Sequence, residues 1–137
     1  MELQDYYLAM DSETGGLDEQ VEDVLTFYAA IVTMDWKVID EIDLKVKPDG
    51  GRFPIANAGA LKVNGIDLKA HMEDPNTVTY SEAKLKILAM AEKYRKPGRY
   101  SNITPLGHNV PFDLNFTWKH LVPKSEWQKI MHYGIAD

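Results

Sequence analysis

Apolar and polar residues change their period several times along this chain. Tyr6 to Asp11 (YYLAMD) is apolar at most positions, the mark of a central strand. Gly15-Gly16 ends it in a turn. Val24 to Met34 (VLTFYAAIVTM) is a second strand, rich in β-branched and aromatic residues, and Asp35-Trp36 reads as the turn after it. From Val38 to Val46 the period is two: Val38, Ile42, Leu44 and Val46 fall on even positions with acids and lysines mostly between them. The short connections predict an antiparallel three-stranded meander, closed by Pro48-Asp49-Gly50-Gly51.

The period then lengthens. Ile55 to Val63 (IANAGALKV) predicts a short helix stopped by Asn64-Gly65. Residues 65–80 are polar and aperiodic and predict a loop. From Ser81, SEAKLKILAMAEKYRK places Ala83, Ile87, Met90, Ala91 and Tyr94 on one helical face. Basic residues crowd its last turn, and Pro97-Gly98 ends it. Tyr100 to Leu106 predicts a fourth strand, which Pro105 assigns to an edge or an irregular end. Pro111 suits the first turn of a helix reaching about Leu121. Pro123 separates it from a last short helix, opened by the capping box Ser125-Glu126-Trp127-Gln128 and running to His132. The order β-β-β-α-α-β-α-α predicts an α/β domain with a mixed central sheet.

Composition narrows the class. With 137 residues, 45% hydrophobic and 26% charged, the chain matches one globular domain. A domain of this size buries roughly two thirds of its unfolded surface. No apolar run is long enough to span a membrane, so no membrane partner is expected. The start, MELQDYY, is acidic and has no apolar signal core, so a cytoplasmic location is expected. The absence of cysteine excludes disulfides, thiolate zinc sites and a cysteine nucleophile. A net charge of -6 argues against tight non-specific adhesion to nucleic acid, which is driven by counterion release. It leaves a nuclease open, because acids that hold divalent cations contribute to this charge.

The candidate chemistry begins at the end of the first strand, YLAMDSETGGL. Residues i and i+2 of a strand face the same way, about 6–7 Å apart. Asp11 and Glu13 therefore project to one side, where two carboxylates repel and are costly to desolvate. A cation between them removes that cost, and a pair of this spacing suits magnesium-type ions with oxygen ligands. Solvated acids at an exposed strand end are the plain alternative. The second stretch is GHNVPFD. Gly107 ends a strand, Asn109 can cap, Pro111 starts a helix, and Asp113 lies in its first turn, where the helix dipole favours an anion.

DSETGGL followed far along the chain by GHNVPFD resembles the DEDD superfamily of DnaQ-like and ribonuclease T-like exonucleases, marked by D-x-E and then N-x-x-F-D. The meander and the segment ALKVNGI between them are similar as well, so the resemblance covers the whole chain. It implies a ribonuclease H-like fold in which the meander and parallel strands are flanked by helices. It implies a metal-dependent 3′→5′ exonuclease that hydrolyses terminal phosphodiesters of single-stranded DNA or RNA to nucleoside 5′-monophosphates. Two Mg2+ or Mn2+ ions would be bound, with Asp11 bridging both, Glu13 on one and Asp113 supporting the other. Thr14 and Leu17 match positions that contact the terminal nucleotide, Leu17 as an apolar wedge against the last base; ordinary packing under the turn is the alternative for Leu17. Asn109 and Phe112 would line the same groove, with Phe112 equally suited to the core. Ile66 has the same two readings. Relatives of this kind act as homodimers or as polymerase subunits.

The resemblance also calls for a third motif, either H-x-x-x-x-D or Y-x-x-x-D. HYGIAD offers His132 or Tyr133 with Asp137, but close behind the second motif and in a stretch that reads as the start of a strand. A single exonuclease domain over residues 1–137, cut short before that motif, is the expectation. A non-catalytic nucleic-acid-binding module is the alternative. Of the other histidines, His71 reads as a solvated loop residue, His120 suits a helix end and His108 neighbours the site. Lys84, Lys86, Lys93, Arg95, Lys96 and Arg99 form a basic helix face, either solvated or tracking phosphates.

Overall fold

A computed structural model describes residues 5–96 and 102–131. Three long strands, β1 (Tyr6–Thr14), β2 (Val24–Thr33) and β3 (Val38–Lys47), form the expected antiparallel meander. A 3-10 turn at Asp49–Gly51 follows; Gly50 and Gly51 take φ of 76° and 80°, which glycine tolerates without a Cβ clash. The next elements are α1 (Ala58–Asn64), α2 (Leu68–Glu73), β4 (Val78–Thr79), α3 (Tyr80–Tyr94), β5 (Ile103–Leu106), α4 (Val110–His120) and α5 (Lys124–Trp127). The strands form one five-stranded mixed sheet in the order β4-β3-β2-β1-β5, with β4 and β5 parallel to their neighbours. This is the ribonuclease H-like α/β arrangement expected. No helix among the described residues is long and apolar enough to cross a membrane.

Alternation sorts the sheet into two faces. Tyr6, Leu8 and Met10 of β1 and Phe27, Ala29 and Ile31 of β2 are buried, and Ile42 and Leu44 of β3 pack against them. Ala83, Ile87, Met90 and Ala91 of α3 and Val110, Leu114 and Phe116 of α4 close the same core. Pro105 lies in β5, at the edge of the described sheet, where its missing N–H costs little.

Several local readings need correction. β1 runs on to Thr14, past the expected end at Asp11, because β2 continues to pair with it through Glu13↔Thr26. The first helix begins at Ala58, since Asn57 caps it by accepting from the Ala60 amide at 2.7 Å. Gly65 ends it as expected, with φ of 68°. Residues 65–80 are not a loop: Asp67 caps α2, and Val78 and Thr79 pair with Val46 and Lys47. His71 is 6% exposed, not solvated, and its Nε2 bonds the Val46 carbonyl at 2.8 Å. The long helix is opened by Thr79, not Ser81, through a capping box with Glu82. Ser125 forms no capping box, because it already lies inside the helix that starts at Lys124, and that helix stops at Trp127. Tyr100, Ser101, His132, Tyr133 and Asp137 lie outside the described residues, as does Arg99.

Candidate active site

β5 stops early, and that shapes the site. It pairs with β1 only as far as Ala9↔Leu106, so β1 runs three residues or more beyond its parallel neighbour. Gly107 and Asn109 then turn the chain into α4. A Cβ on Gly107 would lie 2.8 Å from the Met10 carbonyl oxygen, so the turn passes directly under β1. Asn109 takes a left-handed φ of 56° and makes no side-chain cap bond, which corrects its expected capping role. Asn is one of the few side chains that accept this conformation readily.

The turn delivers Asp113 to the free edge of β1. Its Oδ1 accepts from the Ser12 amide at 3.0 Å and from the Ser12 hydroxyl at 2.5 Å, a link between residues 101 positions apart. The carboxylate thus takes the backbone donor that a longer β5 would have paired. Asp113 is 3% exposed. Burial, with the nearby charge of Asp11, raises its carboxyl above the ordinary range, against the two bonds from Ser12.

Asp11 and Glu13 stand on the other side of β1 from Ser12, as strand alternation demands. Asp11 is exposed and lies opposite Tyr28. Glu13 is half-buried, and its Oε1 accepts from the Thr26 hydroxyl at 3.1 Å. The charge of Asp11 reaches Asp113, while the Glu13 carboxylate is bonded to Thr26 of β2. Among the described residues no three acids or histidines form a group that could hold a metal ion. Oxygen donors of this type fit Mg2+ or Mn2+, and the repelling pair Asp11 and Asp113 is where a cation would relieve the strain. The three-carboxylate set implied by the resemblance is not closed.

Beside the acids lies an open cleft of about 420 Å3. Ser12, Glu13, Thr14, Gly16 and Leu17 form one wall, Asn57 and α1 residues up to Asn64 the other, and Phe112 closes the end. Leu17 is 86% exposed and is not packed under the turn; Val63, also 86% exposed, lines the same cleft. Thr14 is buried, and its hydroxyl donates to the Gly16 carbonyl at 2.5 Å, holding the turn. Phe112 lines the cleft and also packs on Phe116 with ring centroids 4.9 Å apart, so both of its readings hold. Asn109 and His108 are exposed and line no part of the cleft, and Ile66 lines a separate hollow with Lys45 and His71.

Sequence reading missed three contributors. Ser12 was only the x of D-x-E, yet it binds Asp113. Asn64 was read as a helix stop, yet its Nδ2 donates to the Thr14 carbonyl at 3.0 Å. Asp23 went unnoticed, and it is 2% exposed in an ion pair with Arg52. An acid directly before the apolar run of β2 was the available signal, masked by its acidic neighbours Asp18, Glu19 and Glu22. The basic helix face is mostly paired: Lys84 with Glu126, Lys93 with Asp40 and Arg95 with Glu92.

No protein-family model matches the chain, and none of the curated proteins does. Solved structures do. E. coli Exonuclease I in complex with a 5cy-dA13 oligonucleotide superposes with a TM-score of 0.72 at 20% identity, over 98% of this chain and 28% of that one. The zinc ion bound form of the E. coli ExoI–ssDNA complex gives the same values. An ExoI/SSB-Ct complex gives 0.65 at 22% identity, over 83% of this chain and 23% of that one. The chain thus spans about a quarter of the length of these neighbours and has the ribonuclease H-like fold of that part of them.

Proposed function

We propose that this chain is a DEDD-type exonuclease domain that grips and trims the 3′ end of a single-stranded nucleic acid. One observation carries the reading. The helix of GHNVPFD brings Asp113 across the fold to Ser12, between Asp11 and Glu13, at the mouth of a cleft lined by Leu17 and Phe112. Nothing in packing requires a buried carboxylate beside a second one, and the arrangement is costly unless a cation arrives. The likeness to Exonuclease I bound to oligonucleotides supports the same reading.

Asp11 and Asp113 would hold a divalent ion, with Glu13 released from Thr26 to join them. Such an ion supplies Lewis acidity, a lowered pKa for bound water and charge neutralisation on a phosphate. The chain's own residues do the rest. Ser12 keeps the Asp113 carboxylate fixed at the strand edge with two bonds. Leu17 and Val63 present apolar surface to the flat face of a base, a contact that tolerates any sequence. The Thr14 hydroxyl is engaged with Gly16, so it shapes the turn under the terminal nucleotide. Release of nucleoside 5′-monophosphates, the 3′→5′ direction and a two-ion count follow from the resemblance, as does assembly into a homodimer or with a polymerase.

A second reading has its own observation. The described acids do not close a three-ligand group, which favours a binding module that holds a 3′ end without cutting it. A 5′-labelled single strand incubated with manganese separates the two. A ladder shortening from the 3′ end, absent in Asp11→Ala, establishes the nuclease. Retained binding with no ladder in either protein establishes the module. Neither binding nor ladder refutes both.

A further inference from the structure

One buried carboxylate stands behind both walls of the cleft. Asp23 immediately precedes β2 and is 2% exposed. Its Oδ2 accepts from Arg52 Nη1 at 2.7 Å and from the Ile55 amide at 2.6 Å. Its Oδ1 accepts from Arg52 Nη2 at 3.2 Å, with His120 Nδ1 3.4 Å away. His120 Nε2 meets the Glu19 carbonyl at 2.9 Å, which fastens the outer arm of the same loop to the end of α4.

The backbone repeats the connection. The Asp23 amide donates to the Ile55 carbonyl at 2.9 Å. The Gly15 amide donates to the Asp23 carbonyl at 2.8 Å, and the Asn57 amide donates to the Gly15 carbonyl at 2.8 Å. Gly15 adjoins the wall of Thr14, Gly16 and Leu17, and Asn57 opens the wall of α1. Neither Asp23 nor Arg52 lines the cleft itself. Whatever they do for a bound strand, they do through the walls.

We propose that the Asp23–Arg52 ion pair is the positioning element of the cleft, setting the spacing of its two walls and so its affinity for a single-stranded 3′ end. The proposal rests on the cleft being the nucleotide site. The chemistry suits the task. A guanidinium fork meets both oxygens of a carboxylate in one plane, which fixes orientation as well as distance. A lysine at this position keeps the charge and loses the fork. Burial pushes the Asp23 carboxyl up, but the bonds from Arg52 and Ile55 and the charges of Arg52 and His120 together hold it below the ordinary range. The Arg52 side chain is half exposed, so its replacement leaves the core untouched.

Four full-length proteins test this: the parent, Arg52→Lys, Arg52→Gln and Leu17→Ala. Fluorescence anisotropy with a 5′-labelled, phosphorothioate-linked single strand reads affinity. Amide hydrogen exchange reads the walls at Gly15 and Asn57, with Ile87 in α3 as the report on global stability. Arg52→Gln is expected to weaken binding about tenfold and to speed exchange at Gly15 and Asn57 but not at Ile87. Arg52→Lys is expected to fall between it and the parent. Binding by Arg52→Gln within twofold of the parent overturns the proposal, and so does accelerated exchange at Ile87 equal to that at the walls. A parent that binds no strand, or Leu17→Ala binding as the parent does, refutes the nucleotide reading instead. Wall exchange then decides the positioning role alone, and unchanged rates at Gly15 and Asn57 overturn it.

Discussion

Gly15 and Gly16 are adjacent in the same turn, yet alanine should have opposite consequences at the two. A Cβ on Gly15 would lie 2.3 Å from the Ile55 carbonyl oxygen and 2.6 Å from Ala56 Cα. These are backbone atoms. The Ile55 oxygen is already engaged by the Asp23 amide, and Gly15 itself is bonded to Asp23 and Asn57. The wall cannot retreat without breaking those bonds. A Cβ on Gly16 would meet Glu22 Oε1 at 2.1 Å, the far end of a flexible side chain. That oxygen takes only a long 3.4 Å bond from the Asp18 amide, so it can swing away. Overpacking against a fixed neighbour costs about 1–3 kcal/mol. For a domain of this length each kcal/mol lowers Tm by roughly 3–5 °C. Gly15→Ala should therefore melt about 3–15 °C below the parent and lose oligonucleotide affinity, while Gly16→Ala stays within about 2 °C. Thermal melts by circular dichroism and anisotropy titrations decide it. Equal melting of the two variants, or a Gly15→Ala protein as stable as the parent, would refute the packing argument.

Leu17→Ala should leave Tm within about 1 °C, because an 86% exposed side chain contributes little to folding, and should weaken binding of a single strand about tenfold, the scale of one stacking contact. Asp113→Asn should raise Tm in chelator, since the amide oxygen can keep both Ser12 bonds while the buried charge is removed. The raised carboxyl of Asp113 makes the parent lose stability as pH climbs through the folded-state pKa, and that loss should vanish in the variant. Manganese should raise the parent's Tm through linkage and leave Asp11→Ala unchanged; a rise that persists in the mutant places the cation elsewhere. Asp23 has the opposite sign: its folded pKa lies below the unfolded value, so its stabilisation is present above the unfolded pKa and lost as acid titrates the folded carboxyl. Acid unfolding curves of Arg52→Gln should lack that limb. Tyr80→Phe removes the 2.7 Å bond to the buried Val24 carbonyl and should cost about 1–3 kcal/mol in denaturant melts.

The meander and the two core helices were legible because their periodicity is strong and packing agrees with it. Val46, near the end of β3, and Ile87, in the middle of α3, are both fully buried. Residues 65–80 were not legible. α2 spans only Leu68–Glu73, β4 only Val78–Thr79, and each exists through one cap or two pairings rather than through a period. His71 shows the cost of that. A polar neighbourhood in sequence said nothing about the Val46 carbonyl, 25 positions away, that holds the ring inside. The acids of the candidate site were legible as types at spacings. Their partners were not, because Ser12 and Thr26 are ordinary residues until the strands pair.

The least conspicuous of them, Ser12, explains how Asp113 comes within reach of Asp11. Alternation places Asp11 and Glu13 on one side of β1 and Ser12 on the other. α4 belongs to the side that carries the core, so an acid on α4 should face away from the first two. The geometry escapes this because β5 ends opposite Ala9 and leaves the edge of β1 free. Asp113 needs neither face; it approaches along the edge, where the Ser12 amide points, and comes within reach of the Asp11 charge. Continuing β5 through His108 in the same register would occupy that amide and expel the carboxylate. Shortening it further would withdraw the turn at Gly107 that carries α4 beneath Met10. The length of an edge strand, which no motif encodes, is therefore as much a condition for the Ser12–Asp113 link as the acid itself.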